Sequence, residues 1–182
     1  MEEKTVEAVK TPNAMAFKSA LVYAIYFLAL IYVFKFAGID QNDPNSSMAE
    51  KLVGSLASYL PFILAIVYVQ TNYKKALNDF ISFKTAFSAG FKVAAYAGLF
   101  IAIVLMVYYK VLDPTAFERL IDAAREAAAG DATQLKGVEM MKSYMVFFIG
   151  FGAAITYTLL GLVTSLIGAA VIKKEVPLHF EG

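Results

Sequence analysis

The sequence predicts an all-α integral membrane protein with four transmembrane helices, arranged as two hairpins, and a short amphipathic exterior helix between the third and fourth. Three observations predict it. Hydrophobic residues make up 59% of the 182 and charged residues 17%, against about 45–50% and about 25% in a soluble domain. The apolar excess falls into four blocks, each long enough for a hydrocarbon core about 30 Å thick at 1.5 Å of rise per residue. Lysines flank those blocks in a one-sided pattern. Residues 1–182 are read as a single membrane domain.

Residues 1–16 are polar and carry Glu2, Glu3 and Glu7. They are expected to be mobile or to lie near the membrane surface. A secretory leader starts with a short basic region and has an apolar segment of about 7–15 residues, so the first apolar block, residues 19–37, is read as a retained anchor. Gly38 to Ser47 is a turn by composition. Its Asp40 and Asp43 lack the glycine and the terminal glutamate that a calcium loop needs. Asn45-Ser46-Ser47 fits a glycosylation acceptor, which matters only in a eukaryotic secretory pathway.

The second span covers residues 52–69. Pro61 inside it removes a backbone donor and crowds the preceding turn, which predicts a bend. Ser58 is expected to satisfy a freed carbonyl. The third span covers residues 93–109, or starts as early as Phe87, after a basic approach that includes Lys74, Lys75 and Lys84. Asp113-Pro114 then reads as an N-cap followed by proline at the first helical position.

The exterior helical loop covers residues 114–143. Phe117, Leu120, Ile121 and Ala124 recur at i, i+3, i+4 and i+7, one apolar face that would dock on the protein, the headgroups or a partner. Glu118, Arg119, Asp122, Arg125 and Glu126 occupy the other positions. Gly130 ends this helix, and Asp131 to Gln134 resembles a capping box for a second helix leading into the fourth span. That span, residues 145–172, is longer than one crossing needs, so tilt or protrusion is expected. Lys173 and Lys174 close it.

Four crossings put Lys10, Lys18, Lys74, Lys75, Lys84, Lys173 and Lys174 on one side. The positive-inside rule then places both termini in the cytoplasm. Arg119, Arg125 and Lys136 in the third loop count the other way. Phe17-Lys18-Ser19-Ala20 and Phe91-Lys92-Val93-Ala94 open the first and third spans alike. Two hairpins of one orientation would give that pattern, and so would chance among basic-flanked apolar helices.

Small residues drive helix association in lipid because they allow close packing. Gly150, Ala154, Gly161, Ser165 and Gly168 form such a seam on the fourth span, and the third offers Ala94 and Gly98. A seam inside the monomer is the expected use, a dimer interface the alternative. The oligomeric state stays open.

No reactive constellation emerges. There is no cysteine, and the predicted membrane interior holds no aspartate, glutamate or histidine, the usual marks of an ion path. Lys35 and Lys92 lie near span ends, where they can snorkel to water. His179 is the lone histidine, in the tail. Gly150-Phe151-Gly152 starts like a dinucleotide fingerprint, but Ile155 stands where the third glycine belongs. Glu118, Asp122 and Glu126 read as a wet helix face rather than a surface active site. Catalytic, cofactor-binding and metal residues are therefore none, and a net charge of +1 gives no nucleic-acid surface.

The segments Asn78-Asp79-Phe80-Ile81-Ser82-Phe83-Lys84-Thr85-Ala86-Phe87 and Lys110-Val111-Leu112-Asp113-Pro114-Thr115-Ala116-Phe117 resemble domain-of-unknown-function family 4199. The likeness continues through Glu139-Met140-Met141-Lys142 and the glycine-rich last span to Lys173-Lys174, covering most of the chain from Ser19 onward. The family's members are small four-helix membrane proteins of the Bacteroidota. The resemblance implies an inner-membrane location and four helices, and brings no activity or catalytic residue. It associates the chain with neighbouring polyprenyl-phosphate glycosyltransferases without deciding function.

The expected function is a non-enzymatic accessory or scaffold subunit of the bacterial inner membrane, its partners the bilayer and another membrane protein. The alternative is a small transporter or lipid-handling protein, which requires a cavity between spans. The third reading is a surface enzyme using the acidic loop helix.

Overall fold

Helical hydrogen bonding runs past the ends of the apolar blocks in the computed structural model, which describes residues 12–39 and 46–174. Readings on Lys10, the acidic leader, Asp40, Asp43, Asn45 and His179 lie outside the described residues. The helices are α1 Pro12–Ala37, α2 Met48–Ala76, α3 Phe83–Val107, α4 Pro114–Ala127 and α5 Ala132–Ile172. A single π turn, Tyr108–Leu112, extends α3.

Side-chain caps define where these helices begin. Ser47 and Glu50 form a reciprocal capping box at α2, with Glu50 N–H donating to Ser47 Oγ at 3.2 Å and Ser47 N–H to Glu50 Oε2 at 2.8 Å. Ser82 accepts from Thr85 N–H at α3. Asp113 accepts from Ala116 N–H, with Pro114 in the first turn of α4. Asp131 accepts from Thr133 and Gln134 N–H at α5. Each cap satisfies donors that a helix start leaves open.

Among the described residues, four helical stretches are long and apolar enough to cross a membrane: α1, α2, α3 with its π turn, and α5. The 41 residues of α5 span about 60 Å, twice a hydrocarbon core. One end of α5 must therefore project from the bilayer.

Helix α3 sits centrally and packs on α1, α2 and, most extensively, α5. Its buried residues are mostly small, among them Ala86, Ala89, Gly90, Ala94, Ala97 and Gly98. That lets neighbouring backbones approach closely. Phe17 meets Tyr96 and Phe100 while Lys35 meets Asp113, so α1 and α3 run parallel. Gly161 faces Ala94 and Gly150 faces Ala102, so α5 runs antiparallel to α3.

The start of α1, the connection between α2 and α3, and the end of α5 consequently share one end of the bundle. Ile81 and Lys174 tie two of these together, exchanging backbone hydrogen bonds of 2.9 Å in both directions. Asn78 and Asp79 turn the connection with φ of 55° and 65°, a left-handed region that short polar side chains tolerate. Lys74, Lys75, Lys84, Lys173 and Lys174 lie at this end, with Asp79 its acidic residue among the described ones, while Lys18 follows Phe17 further along the bundle, near the level of Tyr96 on α3. The opposite end, with Asp113, α4 and the start of α5, carries the ion pairs.

Candidate functional site

Pro61 has no N–H to give the Ala57 carbonyl one turn earlier. The Tyr26 hydroxyl of α1 donates to that carbonyl instead, at 2.8 Å. Tyr23, one turn before Tyr26, donates to the next carbonyl, Ser58 O, at 2.7 Å. The donor to the freed carbonyl is thus Tyr26 and not Ser58. A serine in a helix reaches back three or four residues, and Ala57 is its immediate neighbour.

The Tyr23 hydroxyl also lies 3.1 Å from that of Tyr157 on α5. The Tyr157 ring stands edge-on to Phe62 with centroids 5.1 Å apart, and 5.6 Å from Tyr59. These contacts join three helices around one aromatic node. Two hollows flank it. A groove of about 630 Å³ opens between α1 and α2, reaching from Met15 and Lys18 to Pro61. A second of about 230 Å³ is lined in part by the hydroxyl-bearing Ser55, Ser58, Tyr59, Thr156 and Tyr157.

Nearer the lysine end, Gln70 is fully buried. Its amide donates to Ala86 O at 3.1 Å on α3 and to Ser165 O at 2.9 Å on α5. Its Oε1 and the Ser165 hydroxyl are buried without a partner. Gly90 and Gly168 make room for it: a Cβ on Gly168 would overlap Gln70 Oε1, and one on Gly90 would lie 2.7 Å from Nε2. Sequence reading ended the second span at Val69 and passed over Gln70.

The five seam residues of α5 lie against α2 and α3 of the same chain. A Cβ on Gly150 would lie 2.8 Å from Met106 Cε. The Ala154 carbonyl would lie 2.8 Å from a Cβ on Gly98. One on Gly161 would overlap Ala94 Cβ. Ser165 and Gly168 border Gln70. Gly137 and Gly152, off this line, have open space around them.

At the opposite end, α4 folds back on α5. Ile121 is fully buried, while Phe117, Leu120 and Ala124 are half-buried. The Phe117 ring contacts Tyr109 at 6.3 Å. Lys142 donates to Glu118 at 2.9 Å, and Arg125 to Glu139 at 2.7 Å and to Asp122 at 2.9 Å. Glu118 and Asp122 are thereby engaged in ion pairs, and Glu126 is exposed.

Asp113 anchors the junction of α3 and α4. Its buried carboxylate accepts from Lys35 Nζ at 2.6 Å, Tyr108 Oη at 3.0 Å and Thr115 Oγ1 at 2.6 Å. The Lys35 contact, then Thr115, holds the carboxyl well below the usual range, against the opposing effect of burial. Among the described residues no group of three or more His, Cys, Asp or Glu could hold a metal ion.

No curated protein and no solved structure matches the chain. The family described as Protein of unknown function (DUF4199) matches residues 18–174, from the start of the groove on α1 to the Lys174 bridge, and the chain belongs to that family.

Proposed function

We propose that the protein is a non-enzymatic accessory or scaffold subunit of the bacterial inner membrane, with both termini in the cytoplasm. The observation that carries this reading is the arm formed by α4 and the projecting start of α5. Ile121 is fully buried beneath α4, and the Lys142–Glu118 and Arg125–Glu139 pairs fasten the two helices side by side. Beside that arm, α5 leaves Met140, Met141 and Tyr144 exposed. Methionine and tyrosine are favoured at protein interfaces. The partner is another membrane protein, and the family resemblance makes a polyprenyl-phosphate glycosyltransferase the first to test. The lysine-rich end supports the orientation, since basic residues concentrate on the cytoplasmic side.

Photo-cross-linking in native membranes tests the reading. A cross-linker at Met141 or Tyr144 is expected to give one discrete protein adduct, and one at Leu159, which faces outward in the apolar part of α5, none. Equal labelling from all three positions, or no adduct from any, argues against a partner on this arm.

A further inference from the structure

We propose that the groove between α1 and α2 is a binding site for one anionic phospholipid, with an acyl chain along the groove and the phosphate at Lys18. The proposal stands whether or not the accessory reading holds, because a bound lipid serves a scaffold and a lipid handler alike.

The groove has the volume of a small-molecule site, about 630 Å³, within the range of about 300–1,000 Å³ usual for ligand pockets. Its walls are mainly apolar, including Met15, Val22, Leu64 and Ala65. The hydroxyls at its deep end are already committed, Tyr26 to Ala57 O and Tyr23 to Ser58 O. Depth therefore offers an alkyl chain a surface with few unmet polar demands. The rim residues Val22, Leu64 and Tyr68 are exposed within helices apolar enough to cross a bilayer. The groove thus opens toward hydrocarbon and not toward water.

Charge selects the headgroup. Lys18 and Ser19 line the groove on α1, one turn in from Met15, and Lys18 has no ion-pair partner among the described residues. Lys74 and Lys75 end α2 about two turns beyond Tyr68, the last residue of α2 to line the groove. A phosphate there meets an ammonium and a hydroxyl, and juxtamembrane lysines attract anionic lipid by about 1 kcal/mol each. A zwitterionic lipid places a second cation among these lysines and loses that preference.

Native mass spectrometry of the full chain with equimolar dioleoyl phosphatidylglycerol and dioleoyl phosphatidylcholine tests the site. The expected result is one retained phosphatidylglycerol per chain, at least about five-fold over phosphatidylcholine, in line with the lysine contribution. Lys18→Gln should bring that ratio close to one. Ala65→Phe, which fills the groove, should abolish retention, while Val163→Phe on the outward side of α5 leaves it intact. Lys18→Gln changes an exposed side chain, so it decides the matter even if Ala65→Phe fails to fold. Three outcomes overturn the proposal. The first is no headgroup preference in the wild-type chain. The second is a preference lost in Lys173→Gln/Lys174→Gln but kept in Lys18→Gln, which assigns it to general surface charge. The third is lipid uptake only after removal of residues 1–11, which makes that segment the groove's occupant.

Discussion

The Lys35 ammonium of α1 stands 2.6 Å from the Asp113 carboxylate that caps α4, a pair 78 positions apart in sequence. Asp113 is only 4% exposed, whereas Lys35 is 41% exposed. The lysine keeps contact with water while the carboxylate depends on its protein partners. Sequence reading gave Lys35 to snorkelling and Asp113 to capping. Parallel packing of α1 on α3 brings the two together.

Asp113→Ala is expected to lower stability in mild detergent by about 2–3 kcal/mol, the range for charge-assisted bonds together with a lost cap. Lys35→Met should cost less, because Tyr108, Thr115 and the Ala116 amide still serve the carboxylate. The pH dependence follows from the lowered carboxyl. A depressed folded pKa contributes stability above the unfolded value, about 3.9, and that contribution is lost as pH falls through the folded value. Melting temperatures of the wild type should therefore drop below about pH 4, with part of that drop missing in Asp113→Asn. Parallel acid profiles for the two proteins would remove Asp113 as the source.

Hydropathy and hydrogen bonding mark different boundaries, which explains what the sequence reveals of this fold. The four apolar blocks and the caps at Asp113 and Asp131 were legible, because each depends on local composition. The helix starts at Pro12 and Phe83 were not, since helix continues after hydrocarbon ends. Gln70 was hidden for a similar reason. Followed by Thr71 and Asn72, it resembles the polar edge of a span, yet Gly90 and Gly168 open a buried space for it between α3 and α5. The groove needed tertiary structure, because one wall comes from α1 and the other from α2. The π turn at Tyr108 has no sequence signal that we can identify.

Gly161→Leu should destabilise the bundle. Even a Cβ there overlaps Ala94 Cβ, and forcing extra volume into packed cores costs about 1–3 kcal/mol. Gly152→Leu is the matched control, because its Cβ meets nothing within 4 Å. Thermal melts in one detergent should separate the two variants by several degrees. Equal melting temperatures would mean that α5 can move away from α3 at little cost.

Tyr26 and Pro61 should be energetically coupled. Tyr26→Phe removes the donor to Ala57 O and is expected to cost about 0.6–2 kcal/mol, as interhelical hydrogen bonds in membranes do. In a Pro61→Ala background the restored N–H can bond the same carbonyl, so the added cost of Tyr26→Phe should fall close to zero. A double-mutant cycle measures the difference. Additive effects would show that Tyr26 contributes nothing through Ala57.

The orientation can be tested with single cysteines, because the chain has none of its own. A cysteine at Ser46 should react with an impermeant thiol reagent in intact cells, and one at Ala76 should not. Ala76 ends α2 beside Lys74 and Lys75, at the end expected to face the cytoplasm. Labelling at Ala76 alone would invert the topology.

The docking of α4 makes a graded prediction. Ile121 is fully buried while Leu120, its neighbour on the same face, is half-buried. Burying an isoleucine side chain contributes roughly 1.5–3 kcal/mol, and truncation in a packed site adds a cavity cost. Ile121→Ser should therefore speed hydrogen exchange across residues 114–131 more than Leu120→Ser, and the double variant most. The amides in the middle of α3 and α5 should keep their protection, because Gly161 against Ala94 and the Gln70 bonds hold those helices independently of α4. The Arg125–Glu139 and Lys142–Glu118 pairs are more than half exposed on their acidic side. Solvent-exposed pairs of that kind contribute little to stability, so high salt should change exchange in α4 less than Ile121→Ser does. A wild-type α4 that exchanges as fast as the double variant would show that it is undocked in lipid. Its face of Phe117, Leu120, Ile121 and Ala124 would then be available to a partner.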